Sequence, residues 1–103
     1  MIHDECLVLL VIIAPRQRTD DLLTALTNAG AHLIDTTYAR GSVGVRPLPF
    51  ALGFEPEKHK AIITCVLTCE EANAVFGLLT EQFHFGQPNT GISFIIPIEH
   101  LTL

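Results

Sequence analysis

The sequence predicts one α+β domain spanning residues 1–103, built as a β-α-β unit followed by a second β-α-β unit. Two uninterrupted apolar runs, Cys6 to Ala14 and Ala61 to Leu67, have the length and composition of strands that are buried on both faces. Each run precedes a segment with apolar residues at helical spacing, and a further β-prone stretch follows each of those segments. This order is the split βαβ, or ferredoxin-like, pattern, with a long loop between the second and third strands.

The first β-α-β unit extends to Arg40. Pro15 ends the first strand, and Thr19-Asp20-Asp21 begins a helix, with acids in the first turn where the helix dipole favours them. Gly30 is the expected C-terminal cap of this helix. The stretch from His32 to Arg40 is β-prone but half polar, which predicts an edge strand. The helix carries an apolar stripe formed by Leu22, Leu23, Leu26 and Ala29.

The second unit begins with the apolar run that ends at Leu67. Thr68 and Glu71 then have the spacing of a capping box, with Thr68 as the N-cap of a helix. The last strand is Gly91 to Ile96, and Pro97 lacks an N–H, which confines this strand to a sheet edge or ends it. The helix that Thr68 caps is predicted to be amphipathic, because apolar residues recur along it at steps of three and four: Ala72, Val75, Phe76, Leu79 and Phe83.

Residues 41–58 have a different composition from the rest of the chain. Glycine and proline recur through them, so regular structure cannot continue, and a segment this long in a small domain is usually functional. Apolar residues also recur, which predicts that the segment packs on its own subunit or on a partner. They are Val43, Val45, Leu48, Phe50, Leu52 and Phe54.

The burial pattern predicts an oligomer. Two helices can cover only one face of a four-stranded sheet, yet both central strands are apolar on both faces. The chain is 49% hydrophobic and 17% charged, which is unusually apolar for its length. We therefore expect other subunits to cover the second face of the sheet.

Charge and cysteine content narrow the function classes. The net charge of −5 argues against nucleic-acid partners. No apolar run has the length of a membrane span, and the acidic start has no signal-peptide character. With no secretion signal, the odd number of cysteines predicts reduced thiols in a cytoplasmic protein.

The sequence carries no recognisable catalytic or metal-binding motif. No GxSxG, HExxH, P-loop or GxGxxG pattern occurs, and the five histidines are scattered. Cys65 and Cys69 lack the CxxC spacing of a zinc site. Cys6 and Cys65 fall in the apolar runs, where thiols stay protonated and unreactive. We expect a protein that is not an enzyme and has no metal site.

Three segments resemble the PII signal-transduction proteins and their PII-like relatives. Pro15 with Asp20–Leu26 resembles the family's first helix, and Ala29–Gly41 resembles its second strand leading into a glycine. Gly91 with Phe94–Glu99 resembles the family's ending, in which a glycine precedes an aromatic residue, an aliphatic pair, a proline, an aliphatic residue and an acid. The resemblance covers nearly the whole chain.

The resemblance implies a homotrimer with clefts between subunits that bind an adenine nucleotide such as AMP, ADP or ATP. It also implies that the 41–58 loop changes shape with the ligand and contacts a partner such as a membrane transporter or an enzyme. The turn before the last strand departs from the family, since Asn89 to Ile92 lacks the phosphate-binding lysine. A basic segment after the last strand is also missing, so a ligand with fewer phosphates, or a different small molecule, is expected.

The candidate ligand-binding residues lie in two parts of the chain. The glycine-bearing turn before the last strand can present N–H groups to an anion. Asp35 and Thr37 share one face of the second strand by period-two alternation. Arg40 and Arg46 flank the start of the loop and can grip phosphate in place of the lost lysine. The full set is Asp35, Thr37, Arg40, Gly41, Arg46, Asn89, Thr90 and Gly91.

Two other functions fit the same order of elements. The trimeric divalent-cation-tolerance proteins share the architecture, and copper or zinc binding that depends on Cys69 or His84 would indicate that class. A protein-interaction module without a nucleotide, or a scaffold whose loop stays docked on its partner, is the other alternative. In that case the turn before the last strand would only close the second helix onto the strand.

Overall fold

The computed structural model describes residues 6–40, 59–87 and 90–102. The strands are β1 (Leu7–Pro15), β2 (His32–Arg40), β3 (His59–Thr68) and β4 (Ile92–Ile98), and the helices are α1 (Thr19–Asn28) and α2 (Cys69–Gln82). A 3-10 turn at Arg16–Arg18, which the sequence did not predict, joins β1 to α1. The predicted α+β ferredoxin-like fold is confirmed.

The four strands form one antiparallel sheet in the order β2-β3-β1-β4. The two apolar strands are central and the two more polar strands are edges, as predicted. Pro97 pairs with Val8 on the edge strand β4, whose other side has no strand beside it in the described part of the chain. An edge position tolerates the missing N–H of a proline.

Both helices pack on the same face of the sheet. Alternate side chains of the central strands point towards them, because successive residues of a strand face opposite sides. Leu10, Ile12 and Ile63 have no exposed surface, and Leu22, Leu26 and Leu79 of the helices pack into the same cluster. The hydrophobic core therefore lies between the helices and this one face.

The ends of the helices follow the sequence signals. Thr68 Oγ1 accepts a hydrogen bond from the Glu71 N–H at 3.0 Å, and the Glu71 carboxylate accepts one from the Thr68 N–H at 2.8 Å. At the end of α1, Gly30 has φ +92°, and the N–H of Ala31 donates to the Leu26 carbonyl at 3.0 Å. These are the predicted capping box and glycine cap.

The beginning of β2 departs from a regular strand. The register with β3 shifts between His32 and Asp35, and Leu33 has φ +53° with 71% of its surface exposed. A leucine in the left-handed region is uncommon, and a bulge on an edge strand is where such a residue is tolerated. The alternation of polar and apolar residues from 32 to 40 gave no sign of this bulge.

The face opposite the helices is apolar, and neither helix packs on it. We call it the open face. Its rows follow from the strand register, because directly paired residues share a face. Phe94 and Ile96 on this face are 45% and 47% exposed. The central rows of the open face consist of Asp35, Thr37, Ile62, Thr64, Val66, Leu7, Leu9, Val11, Ile13, Ile92, Phe94, Ile96 and Ile98, and His32, Ala39, Lys60, Pro15 and Thr68 lie at its margins.

Candidate functional site

The turn that precedes β4 is held by its own hydrogen bonds. The hydroxyl oxygen of Thr90 lies 2.9 Å from the His84 carbonyl and 2.7 Å from the Gln87 carbonyl, and its single proton is shared between them. The N–H of Gln87 also donates to the His84 carbonyl, at 3.1 Å. Thr90 therefore shapes the turn, and towards a ligand its hydroxyl can act only as an acceptor.

Gly91 is a position in this turn that requires a glycine. It is buried, with φ +155°, and the Phe85 ring occupies the space that a Cβ at residue 91 would need. Phe85 in turn packs against the hydrophobic core. The core thus fixes the conformation in which the chain enters β4. Phe85 was not among the predicted site residues, and its spacing from Gly91 carries no recognised motif.

The structure places Asp35 and Thr37 together on the open face, as the period-two alternation predicted. Asp35 pairs with Thr64 and Thr37 pairs with Ile62, and both β2 side chains are exposed. Arg40 ends β2 opposite His59, at the same end of the sheet as the start of β4. The other candidates, Gly41, Arg46 and Asn89, lie outside the described residues.

The two groups of candidates lie at opposite edges of the sheet. One row of paired residues runs across it as Thr37, Ile62, Ile13 and Ile92. Neighbouring strands are about 4.8 Å apart, so the β2 residues lie roughly 14 Å from the entry to β4. Within one chain the structure therefore does not bring Thr37 and Gly91 into one small-molecule site, although both belong to the same end of the sheet.

A further cation lies at this end of the sheet. Arg16 directly follows Pro15, and its guanidinium carbon lies 4.7 Å from the centroid of the Tyr38 ring on β2. Such stacking orients a guanidinium group and leaves its N–H groups available at the edge of the ring plane. Sequence reasoning proposed Arg40 and Arg46 for the cationic role and missed Arg16. Its position immediately after a central strand is the signal that could have identified it.

The cysteine prediction was wrong for two of the three thiols. Cys6 and Cys69 form a disulfide, with Cα atoms 5.4 Å apart. Cys6 precedes β1 and is exposed, so it is not buried within the apolar strand as expected. Cys65 is buried in β3, and burial raises its pKa from 9.0 to about 11, which confirms the expected protonated thiol.

The described residues bring together no group of three or more histidine, cysteine or acidic side chains that could hold a metal ion. Of the two residues that the divalent-cation-tolerance alternative invoked, Cys69 is in the disulfide, and His84 lies exposed in the turn before β4.

None of the helices among residues 6–40, 59–87 and 90–102 is long and apolar enough to cross a membrane.

No protein-family model matches the chain, and no curated protein matches it in sequence. Solved structures do match its fold. One of them is a PII-like signalling protein from Thermus thermophilus, which superimposes on this chain with a TM-score of 0.67 at 22% sequence identity. The superposition covers 91% of this chain and 88% of that protein. The fold is that of the PII-like signalling proteins.

Two further structures extend this fold relationship. CPII from Thiomonas intermedia, bound to ADP, AMP and acetate, has a TM-score of 0.64 at 16% identity and covers 93% of this chain and 91% of its own. CutA from Synechococcus elongatus has a TM-score of 0.65 at 15% identity, covering 94% and 80%. At these identities the similarity establishes the shared fold.

Proposed function

We propose that the protein is a PII-like signalling protein that forms a homotrimer and binds an adenine nucleotide between neighbouring subunits. One observation carries the proposal: the candidate binding residues are divided between the two edges of the sheet. Thr37 on β2 and Gly91 before β4 occupy the same end of the sheet but are three strand spacings apart. They can surround one ligand only where the β2 edge of one subunit meets the β4 edge of the next.

The open face supports self-association. It presents aliphatic and aromatic side chains from three strands, and Phe94 and Ile96 each leave nearly half of their surface exposed. An apolar area of this kind is favourable to bury against another copy. A closed trimer uses the same face on each subunit and leaves none of the three exposed.

An adenine nucleotide with few phosphates is the ligand that the turn supports best. CPII, which shares the fold, is bound to ADP and AMP. The turn supplies backbone N–H groups near Gly91 but no lysine. Arg16, which follows β1, and Arg40, which ends β2, are two basic residues at this end that can bind a phosphate.

The 41–58 segment is the proposed contact with a partner. It follows directly from Arg40 at the end of β2, so a ligand at the β2 edge lies beside its starting point. A membrane transporter or an enzyme is the proposed class of partner, and the cytoplasm is the proposed compartment. We propose a signalling role without catalysis.

Calorimetry with AMP, ADP, ATP and a cyclic nucleotide tests the ligand. We expect saturable heat for at least AMP or ADP, at one site per chain, and a higher Tm in the presence of the same nucleotide. A folded oligomer that gives neither heat nor a thermal shift with any of the four would refute nucleotide binding.

Mixing two variants tests whether each site is shared between subunits. Thr37→Glu places a bulky anion on the β2 side, and Asn89→Glu places one in the turn, and each repels a phosphate. Each homo-oligomer should lose binding. Oligomers formed by refolding the two variants together should recover part of it, because some interfaces then pair an intact β2 edge with an intact turn. If the mixture binds no more than the separate variants, the two edges do not form a shared site.

A further inference from the structure

The disulfide joins two positions that the sheet already brings together. Cys6 directly precedes Leu7 and Cys69 directly follows Thr68, and Leu7 and Thr68 are the last paired residues of β1 and β3 at that end. The N–H of Cys69 donates to the Cys6 carbonyl at 2.9 Å. The cysteines would therefore lie side by side whether or not their sulfurs are bonded.

The junction around this disulfide has its own stabilising contacts. The reciprocal Thr68–Glu71 capping box closes the first turn of α2, and Leu7 pairs with Ile98 of β4 as well as with Thr68. None of these interactions uses a sulfur atom. We therefore expect the fold to persist when the cross-link is reduced, because the chain is large enough to form a core without it.

The two sulfurs differ in ways that favour exchange. Cys6 is exposed and open to an external thiolate, whereas Cys69 is half-buried at the first position of α2. The dipole at the beginning of a helix stabilises a thiolate, which makes Cys69 the better leaving group. The acids of this first turn oppose that effect, but Glu71 is engaged in the capping box and Glu70 is exposed to solvent.

The third cysteine does not interfere. Cys65 is fully buried on the helix-facing side of β3, where it pairs with Leu10. A buried, protonated thiol neither attacks a disulfide nor accepts attack from solvent. The folded chain thus contains one exchangeable pair and one unreactive thiol.

We propose that Cys6 and Cys69 form a reversible thiol–disulfide couple that exchanges with a dithiol reductant and tightens or loosens the junction of β1, α2 and β4. A thiolate of the reductant attacks the Cys6 sulfur, forming a mixed disulfide and breaking the bond to Cys69, whose sulfur takes the electron pair and then a proton. The second thiol of the reductant then loses its proton and attacks the reductant's other sulfur, which is bonded to Cys6 in the mixed disulfide. Cys6 leaves as a thiolate and is protonated. Two electrons and two protons pass to the protein, and the reductant becomes a disulfide.

The first test is a redox titration of the whole chain in mixtures of reduced and oxidised dithiothreitol. Mass spectrometry after alkylation of the unfolded protein should show one free thiol per chain at the oxidised end and three at the reduced end. A single reversible two-electron transition is expected, with the same far-ultraviolet circular dichroism at both ends. Three thiols under all conditions, a pair that native protein never reduces, or unfolding on reduction would each overturn the proposal.

Variants assign the transition to the proposed sulfurs. Cys6→Ser should abolish the transition, and the matched variant Cys65→Ala should retain it. Hydrogen exchange should accelerate on reduction at Leu7, Ile98 and the first turn of α2. At the other end of the sheet, at Ile13 and Ile62, it should be unchanged. If hydrogen exchange at the junction were the same in the oxidised and reduced protein, the pair would not alter the junction. Loss of the redox transition in Cys65→Ala would show that the wrong pair of cysteines was assigned.

Discussion

The proposed self-association through the open face leads to a specific prediction about two neighbouring residues of β4. Phe94 pairs with Val11 on the open face, whereas Ile95 pairs with Leu10 on the face that the helices cover. Their exposed fractions are similar, at 45% and 40%. We predict that Phe94→Glu dissociates the oligomer and that Ile95→Glu leaves it assembled. The two variants carry the same new charge on the same strand, so each serves as the control for the other.

The size of the effect follows from the exposed area of the phenyl ring. With 45% of a side chain of about 200 Å² still exposed, an interface can remove about 90 Å² from water. At ~25 cal/mol per Å² this contributes about 2 kcal/mol per subunit. A carboxylate in its place adds a desolvation penalty of at least ~1–3 kcal/mol. Each contact thus weakens by about 3–5 kcal/mol, on the order of a hundred- to several-thousand-fold.

Light scattering after gel filtration at micromolar concentration measures the result. Wild type and Ile95→Glu should have the mass of an oligomer, and Phe94→Glu should have the 11.3 kDa mass of one chain. Circular dichroism should show that both variants are folded. A folded Phe94→Glu oligomer of unchanged mass would refute the role of the open face, and dissociation by both variants would indicate contact through the β4 edge itself.

Three further predictions concern the turn, the second helix and the buried thiol. Gly91→Ala should lower the free energy of unfolding by roughly 1–3 kcal/mol, because it strains the backbone and displaces the Phe85 ring. The control Gly77→Ala lies in open space on α2 and should raise the free energy of unfolding by up to ~1 kcal/mol. Urea denaturation measures both variants. Thr68→Ala removes the N-cap acceptor and should destabilise the chain by about 1 kcal/mol, a loss that Thr68→Ser should largely restore. Burial raises the pKa of Cys65 from 9.0 to about 11, so its contribution to stability is complete below pH 9 and is lost as the pH rises to 11, by about 2–3 kcal/mol. Cys65→Ala should lack this part of the alkaline loss, and an identical alkaline profile for both proteins would contradict the assignment.

The elements whose signals are local could be predicted from the sequence. The two apolar runs, the Thr68–Glu71 capping box and Gly30 each depend on residues a few positions apart, and the structure has all of them. The edge positions of β2 and β4 were also predictable, because polar residues and Pro97 are tolerated there. Consistent local signals of this kind specify the order of elements and, with it, the sheet.

The missed features depend on contacts between distant parts of the chain. Cys6 and Cys69 are 63 positions apart and become neighbours only through the register of β1 with β3. Phe85 constrains Gly91 because the core fixes the ring. Arg16 stacks on Tyr38 because β1 and β2, on either side of β3, both end at the same end of the sheet. The candidate residues were predicted by type, and their separation follows from the strand order, in which β2 and β4 are opposite edges of the sheet. That separation is the reason the proposed site lies between chains, as the family resemblance had implied.

Native mass spectrometry in the presence of AMP or ADP tests the central claim most directly, because it weighs the assembly and counts its ligands together. The proposed function predicts a species with three times the 11.3 kDa mass of one chain, carrying up to three nucleotides, and no nucleotide on the single chain. A trimer that stays free of nucleotide at millimolar concentration, or a nucleotide bound to the single chain, would contradict it.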